Sequence, residues 1–292
     1  MVRSFLALGL LATSAWVAAQ APDVTINLDL RLNGRTALNQ RNTQRLYDVL
    51  GRPSLVKLKV KFDLGLNVVI NQRLQRIDND GDPELVDEAY VEDPGVWKVG
   101  KVVAPFGQGA FLRETVWGVQ GTVDVPFLNG TASLMLADSG RRRQSGVVGR
   151  IVLRSPGIGL SAAIGNHWGI NGSTFALFRD VNQSPGQGAG YGAIFGLDFS
   201  KRIGTVSWRA ELLRATRPER TADEAITAFD LSATTTSLKN WRLTLGYTRA
   251  VGADFYRVAP EIMLNKNISF EPMLRMRNGN LRDFSVSVHV RF

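Results

Sequence analysis

The sequence predicts an all-β fold, a transmembrane antiparallel up-and-down β-barrel, on the strength of three observations. Apolar and polar residues alternate in many segments of about ten residues, which is typical of half-buried strands. Aromatic residues stand near the ends of these segments, where the two membrane–water interfaces would lie. An export signal precedes the strands. A soluble β-sandwich gives the same alternation, but the other two features favour a membrane barrel.

The export signal is predicted at residues 1–19. Arg3 supplies its charge, an apolar stretch covers residues 5–12, and small residues at 17–19 suit a signal peptidase. Cleavage would leave residues 20–292 as a single outer-membrane barrel domain. The full chain has 35 basic and 26 acidic residues, so loss of Arg3 lowers the net charge from +9 to +8.

Composition excludes several classes of protein. The chain has no cysteine, so disulfides, thiolate nucleophiles and cysteine-based metal sites are impossible. A mean hydropathy of -0.05 leaves no room for a bundle of membrane helices. A basic exported protein could meet anionic lipid, polysaccharide or solutes, and nucleic acid is not an expected partner.

The predicted strands follow one another in a meander. In the first, Val24, Ile26 and Leu28 alternate with polar residues, and the last alternates in the same way up to Phe292. Turn signals such as Asp93-Pro94-Gly95 and Asn278-Gly279 separate neighbours. The predicted strands cover residues 23–33, 55–64, 66–76, 84–92, 96–105, 115–125, 130–138, 145–155, 159–168, 190–199, 203–214, 224–234, 240–250, 254–264, 267–277 and 281–292.

This count gives about 16 strands, an even number that returns both chain ends to the periplasm. If residues 55–76 form one long strand instead of reversing near Asp63, the count becomes about 14, and a barrel of about 12 taller strands is a third alternative. Residues 35–52 have a partly helical pattern, with Leu46, Val49 and Leu50 on one face, and are predicted to form a structured loop.

The meander also assigns the external loops. They are predicted at residues 34–54, 77–83, 106–114, 139–144, 169–189 and 215–223, followed by two tight turns. The first and fifth are long. A barrel of this size is wide enough for water unless a loop folds into it, so a loop is the expected constriction.

The C-terminal strand resembles the assembly signal of bacterial outer-membrane β-barrel proteins. Phe292 is terminal, and Val290, Val288 and Val286 share its face. The resemblance implies recognition by the barrel-assembly machinery and location in the bacterial outer membrane. Lipid and lipopolysaccharide would then surround the barrel.

Residues 87–107 resemble a segment of bacterial porins, including those of the phosphate-selective porin O and P type. Ala89-Tyr90-Val91 matches one strand of that segment, Val99-Gly100-Lys101 the next, and Pro105-Phe106-Gly107 the end of the second. In such porins the Pro-Phe-Gly leads into a third external loop that folds inward. The chain is shorter than those porins, and the phosphate preference is not carried over.

The resemblance leaves two structural points open. The corresponding loop here, residues 106–114, is short, so the longer first or fifth loop is an alternative constriction. Many of the pores that this sequence resembles are trimers, so the resemblance implies a homotrimer.

The residues between the apolar ones are expected to line the pore. The basic residues of this set are Arg31, Lys57, Lys59, Lys61, Arg150, Arg154, Arg209, Arg242, Arg257, Arg275, Arg277 and Arg291. The acidic ones are Asp29, Asp63, Asp124, Asp198, Glu211, Asp230, Glu261, Glu271 and Asp283. The difference of about +3 is a weak influence on selectivity.

Lys57, Lys59 and Lys61 stand about 7 Å apart on one strand face. Together with residues 141–143, three arginines at a loop mouth, they favour a weak anion preference. The alternative interpretation is that the lysines pair with carboxylates across strands and simply hydrate a wide lumen.

Catalytic and metal sites are not expected. Neither His167 nor His289 has a serine or aspartate at a recognisable spacing, so the chain is predicted not to be an enzyme. Asp78, Asp80 and Asp82 have the one-three-five spacing of a Ca²⁺ loop, but the rest of the EF-hand pattern fails, which leaves a weak ion-site candidate. No cofactor is predicted.

The sequence therefore predicts an outer-membrane porin through which small hydrophilic solutes diffuse passively. Two alternatives stay open. One is a non-conducting barrel that acts as an anchor or adhesin through its external loops. The other is a secreted soluble β-protein.

Overall fold

The chain folds into one closed sheet of antiparallel strands. The structure is a computed structural model that describes residues 22–37, 40–46, 52–75, 85–112, 115–138, 145–168, 191–216, 225–235, 239–250 and 252–292. The strands are β1 (Asp23–Ala37), β2 (Gln40–Arg45), β3 (Leu55–Lys61), β4 (Asn67–Arg73), β5 (Val86–Asp93), β6 (Trp97–Val103), β7 (Thr115–Val125), β8 (Gly130–Asp138), β9 (Ser145–Leu153), β10 (Ile158–Trp168), β11 (Tyr191–Ile203), β12 (Val206–Thr216), β13 (Ile226–Thr235), β14 (Trp241–Ala250), β15 (Ala253–Met263), β16 (Ile268–Arg277) and β17 (Asn280–Arg291).

Two pairings of β1 close the barrel. Its later part, from Asp29 to Ala37, pairs with β17. On its other edge it pairs first with β3 and then with β2, so β2 and β3 together occupy one position in the wall. The wall therefore has 16 strand positions, which confirms the first strand count over the alternatives of 14 and 12.

The tight reversal on which that count depends is present between β3 and β4. The backbone N–H of Phe62 donates to Leu66 O at 2.9 Å, and that of Gly65 donates to Phe62 O at 3.0 Å. Gly65 has a φ of 82°, a left-handed conformation that costs glycine little. The hairpin at Asn278-Gly279 is closed in the same way, with φ values of 48° and 80° that match the primed turns of tight hairpins.

The partly helical pattern predicted for residues 35–52 is wrong where the structure describes it. β1 continues as strand to Ala37, and β2 forms a hairpin with it. Pairing on both edges of β1 satisfies the backbone hydrogen bonds of this segment, and that tertiary pairing outweighs a weak local helical pattern. Leu46 lies in a bend after β2, whereas Val49 and Leu50 lie outside the described residues.

Alternation divides the wall into two faces. On β7, for example, Trp117, Val119 and Val123 are exposed on the outer face, whereas Val116 is buried on the inner face. Aromatic residues mark both ends of the outer wall: Trp97, Trp208, Trp241 and Phe292 at the end with short turns, and Trp117 and Tyr247 toward the end with longer loops. The side chains of Trp168 and Tyr191 lie outside the described part of the chain. Among the described residues, no helix combines the length and apolarity needed to cross a bilayer.

Candidate functional site

The third loop, between β6 and β7, lies inside the barrel. Its residues 104–112 are described, and Ala104, Phe106, Phe111 and Leu112 are buried. The side chains of these residues form one apolar cluster with inner-face residues such as Ile194 on β11 and Leu213 on β12. The loop is therefore packed against the inner wall that continues from its own strands to β12, despite its short length.

Hydrogen bonds hold this third loop in place at three neighbouring strands. The backbone N–H of Gly107 donates to Ser161 Oγ on β10 at 3.0 Å. On β11, Asp198 Oδ1 accepts from the side-chain amide of Gln108 at 3.1 Å. On β12, Glu211 Oε2 accepts from the backbone N–H groups of Gln108 at 2.9 Å and Ala110 at 3.1 Å. Glu211 is thus the main anchor of the loop.

Two glycines permit this close approach. Gly107 has a φ of 50°, and a Cβ on it would lie 2.5 Å from Glu211 Oε1. A Cβ on Gly196 of β11 would lie 2.7 Å from the ring of Phe106. A larger residue at either position would push the third loop away from the wall.

The anchoring wall carries a row of three carboxylates. Asp198, Glu211 and Asp230 are directly paired across β11, β12 and β13, and all three are buried. Like charges this close need compensation, and each carboxylate has its own. Arg150 lies 2.7 Å from Asp198, the Arg257 guanidinium bonds both oxygens of Asp230 at 3.2 Å, and the third loop's N–H groups bond Glu211.

Further along the inner wall, two arginine–aspartate pairs are almost completely buried. Arg275 on β16 bonds Asp283 on β17 through both fork positions, at 2.8 and 2.5 Å. Arg73 on β4 donates two hydrogen bonds to a single oxygen of Asp87 on β5, Oδ1, at 2.8 and 2.5 Å. Such doubly bonded pairs stiffen the wall but expose little charge.

The three lysines on the inner face of β3 are each paired with a carboxylate, as the alternative interpretation of the sequence predicted. Lys57 Nζ lies 3.8 Å from Asp29 Oδ2, Lys59 Nζ lies 3.4 Å from Glu92 Oε1, and Lys61 Nζ lies 3.6 Å from Asp23 Oδ2. We call these three lysines, on the inner face of β3, the lysine row. The register places them on the same face as Asn67, Val69 and Asn71 of β4, which are buried.

The partners in these pairs differ in exposure. The side chains of Lys57 and Lys59 are 42% and 38% exposed, whereas those of Asp29 and Glu92 are only 15% and 10% exposed. The long lysine side chains carry their charges away from the wall, and the short carboxylates stay against it. In the third pair both side chains are exposed, Lys61 to 53% and Asp23 to 67%.

The other basic residues predicted to line the pore also lie on the inner face of the wall. Arg31 lies 3.1 Å from Asp29, and Arg277 stacks at 5.9 Å from the Phe255 ring centroid. Toward the short-turn end, Arg154 pairs with Asp124 at 2.5 Å and Arg291 lies 4.0 Å from Glu261. Arg209 and Arg242 are exposed near the same end.

Several charged residues of the inner wall were not in the predicted set. Arg73, Asp87, Glu92 and Lys98 belong to the inner wall, and Lys98 Nζ lies 3.5 Å from Glu92 Oε2. The alternation on β4 to β6 could have identified most of them. The role of Ser161 as a loop anchor has no local signal, because it is 54 residues away from Gly107 in sequence.

The predicted minor sites receive little support from the described residues. His289 is buried, with Nε2 3.7 Å from Glu271 Oε2. The side chain of His167, the aspartates 78, 80 and 82, and the arginines 141–143 lie outside the described residues. No group of three or more histidine, aspartate or glutamate residues is placed to hold a metal ion within the described ranges.

The comparisons with known proteins bear on the fold. No family model matches the sequence, and no curated protein matches it. Among solved structures, the loop L8 deletion mutant of OmpT, an outer membrane protein of Vibrio cholerae, is 11% identical, with a TM-score of 0.65 over 94% of this chain and 100% of its own. An anion-selective porin from Comamonas acidovorans is 10% identical, with a TM-score of 0.61 over 92% and 99%.

A mutant of the Rh. blastica porin is also similar, at 11% identity and a TM-score of 0.56 over 92% of this chain and 100% of its own. At these identities the similarity concerns the fold. The resemblance inferred from residues 87–107 is confirmed at that level. The chain has the fold of a 16-stranded outer-membrane porin barrel.

Proposed function

We propose that the protein is an outer-membrane porin through which small hydrophilic solutes diffuse passively, with a weak preference for anions. The observation that carries the proposal is the placement of the third loop. It covers the inner face of β10 to β12 and leaves the exposed lysine row of β3 facing the lumen. The loop covers one side of the barrel interior, and the charged wall on the other side stays in contact with water. This arrangement is the one expected of a narrowed, water-filled channel.

The weak anion preference follows from the unequal exposure within the ion pairs. Asp29 is shared by Lys57 and Arg31, and Glu92 is shared by Lys59 and Lys98, so each carboxylate is bound by two cations. At short range the exposed ammonium groups of Lys57 and Lys59 lie nearer the solute than the buried carboxylates of Asp29 and Glu92. A charge at 4 Å interacts by only about 1 kcal/mol in water, so the preference should be modest.

A planar bilayer experiment tests this function. The purified, folded protein is added to one side, and current is recorded first in symmetric KCl and then under a tenfold KCl gradient. We expect open steps of single-channel size and a reversal potential of the sign that anions produce. A reversal potential of the cation sign would contradict the anion preference while leaving the pore in place.

The apolar cluster around the third loop favours a second candidate function. Phe106, Phe111 and Leu112 remove part of the inner face from water, and a barrel closed further would not conduct. It would then serve as an anchor or adhesin through its external loops. Absence of any channel steps from protein shown to be folded would support this candidate against the porin. Neither function needs catalysis or a cofactor, and we propose none.

The proposed setting is the bacterial outer membrane, with its lipid and lipopolysaccharide as surroundings. The outward face of β17, with Val288, Val290 and Phe292, would be read by the barrel-assembly machinery. In the folded barrel, Phe292 bonds Leu28 on β1 through both backbone groups at 3.0 Å, so the proposed signal also closes the wall. Deleting Phe292 should reduce the amount of assembled barrel in cells, as heat-dependent gel mobility would show.

A homotrimer is proposed for the assembled state. One of the similar structures is OmpT of Vibrio cholerae in a trimer form, which is 10% identical with a TM-score of 0.63. Native mass spectrometry in detergent should give the mass of three chains. A mass of a single chain would contradict this part of the proposal.

A further inference from the structure

The outer wall carries few charges in the described strands, and its exposed cations at the loop end are Arg214 and Arg249. The strand register places both side chains outward, since Arg214 is paired with Phe195 and Arg249 with Phe229. The two phenylalanines belong to the apolar outer face of the wall. Both arginines are exposed. Because a charge on a lipid-facing wall is costly, this pair calls for a specific environment.

The register places the two arginines near each other, two strands apart on the outer wall. Arg214 on β12 and Arg249 on β14 flank the same strand, β13, where they are paired with Thr227 and Phe229, two residues apart. One guanidinium nitrogen of Arg214 donates to Thr227 Oγ1 at 2.8 Å, which fixes its position. The side chain of Arg249 is 68% exposed, with its Nε 4.0 Å from Asp254 Oδ1.

The depth of this site matches a lipid head group. Trp241 marks the opposite end of β14, eight residues before Arg249 in sequence, which is about 27 Å of strand. At a strand tilt of about 40° this is about 21 Å across the membrane, close to the height of the apolar band of a barrel, about 25 Å. The tight turn at Gly252 follows directly, so Arg249 lies where the lipid-facing wall ends.

The surroundings suit an amphipathic ligand. Phe229, Tyr247 and Tyr256 lie beside the arginines, with ring centroids 6.3 and 5.3 Å apart along the row, as an interfacial aromatic belt would have them. Below them, toward the membrane centre, exposed Leu212 and Leu245 offer apolar surface to acyl chains. Asp254 is also engaged by the hydroxyl of Tyr247, which donates to it at 2.7 Å.

We propose that Arg214 and Arg249 bind a phosphate group of the saccharolipid that forms the outer leaflet. The inference rests on the proposed outer-membrane location, and it adds a specific site for a lipid on the outer wall of β12 to β14. Two guanidinium forks match pairs of phosphate oxygens, and Arg214, Arg249 and Asp254, the charged residues described at this place on the outer wall, sum to a positive charge.

Native mass spectrometry of the purified barrel in detergent tests the site. The probes are bisphosphorylated lipid A and its dephosphorylated counterpart, added to the wild type, to R214Q/R249Q and to K201Q. Lys201 is an exposed cation on the same wall, at its short-turn end, so K201Q is a control that removes the same kind of charge. Folding of each variant is checked by heat-dependent gel mobility.

The wild type and K201Q should bind the phosphorylated lipid more tightly than the dephosphorylated one, and R214Q/R249Q should lose about thirtyfold in affinity for the phosphorylated lipid alone. R214K/R249K should keep part of the binding, since the charges remain but the forked donors are lost. Equal binding of both lipids to the wild type, or an equal loss in K201Q, would overturn the site. Displacement of the lipid by an equimolar amount of inorganic phosphate would also overturn it, because the site would then be a general anion site.

Channel recordings on the same samples keep the two proposals separate. The R214Q/R249Q variant should conduct as the wild type does, because both arginines are outside the lumen. A silent wild type that still discriminates between the two lipids would refute the porin and leave the lipid site standing.

Discussion

Two parts of the inner wall use charge in opposite ways. At β11 to β13, the carboxylates of Asp198, Glu211 and Asp230 are buried and bound by fixed donors, including the N–H groups of the third loop. At β3, the ammonium groups of Lys57 and Lys59 are exposed, and the carboxylates of their partners Asp29 and Glu92 are set back against the wall. The comparison shows that burial, more than the number of charges, separates a wall that holds a loop from a wall that meets solutes.

The largest effect is expected from removing the loop anchor with E211A. The substitution leaves the backbone N–H groups of Gln108 and Ala110 without their acceptor, at a cost of about 1–3 kcal/mol for each buried group. The third loop should leave the wall, and single-channel conductance should rise and become noisy. E261A removes an inner-wall carboxylate that lies beside Arg291, far from the loop, and it serves as the control. Identical conductance in E211A and the wild type would show that the loop is held by other contacts.

A smaller effect of the same kind is expected from G107A. The added Cβ would lie 2.5 Å from Glu211 Oε1, and a φ of 50° costs a non-glycine residue about 1–2 kcal/mol. The loop should shift by a small distance, so conductance should change less than in E211A, and the midpoint of thermal unfolding should fall. G121A, on the outer phase of β7 where nothing lies within 4 Å, is the matched control. A stable G107A with wild-type conductance would contradict the close contact.

The lysine row should affect selectivity without affecting stability. The triple variant K57Q/K59Q/K61Q removes three exposed cations, and it leaves Asp29 paired with Arg31 and Glu92 paired with Lys98. The reversal potential under a KCl gradient should move toward the sign that cations produce. The free energy of unfolding should stay within about 1 kcal/mol of the wild-type value, as is usual when exposed ion pairs are removed. K201Q, on the outer wall, should leave the reversal potential unchanged. An equal shift of the reversal potential in K201Q would show that the lysine row does not determine the selectivity.

The smallest effect is the salt dependence of the preference. Raising KCl from about 0.1 to about 1 M shortens the Debye length from about 10 to about 3 Å, so exposed charges such as that of Lys59 are screened from passing ions. The anion-to-cation permeability ratio should therefore approach that of free solution at high salt. A ratio independent of salt would indicate a size or shape filter instead of an electrostatic one.

Much of the barrel could be predicted from the sequence because strand phase is a local property. The alternation of Val24, Ile26 and Leu28 fixes which side of β1 faces outward, and the turn signals fix where each strand ends. The porin-like Pro105-Phe106-Gly107 pointed to the third loop as the one that folds inward. The β2 hairpin was missed because its pairing depends on β1, and a short segment with a few apolar residues also fits a helix.

The loop anchors and the exposure of charges could not be predicted in the same way. Glu211 is 103 residues from Gln108, and nothing near either residue records that they meet. The row of inner charges was identified, but its net value of about +3 treats buried and exposed groups alike. Only the folded wall shows that Asp198 and Asp230 are bound within it, while Lys57 and Lys59 stand out from it.

The central claim is that the lysine row faces a water-filled lumen, and chemical modification in an open channel tests it most directly. The natural chain has no cysteine, so K59C supplies a single thiol on the inner wall and V119C a matched one on the outer wall. A small anionic methanethiosulfonate reagent is added during single-channel recording. We expect a stepwise fall in current for K59C and no change for V119C. An unchanged current in K59C, after mass spectrometry confirms its modification, would contradict the account.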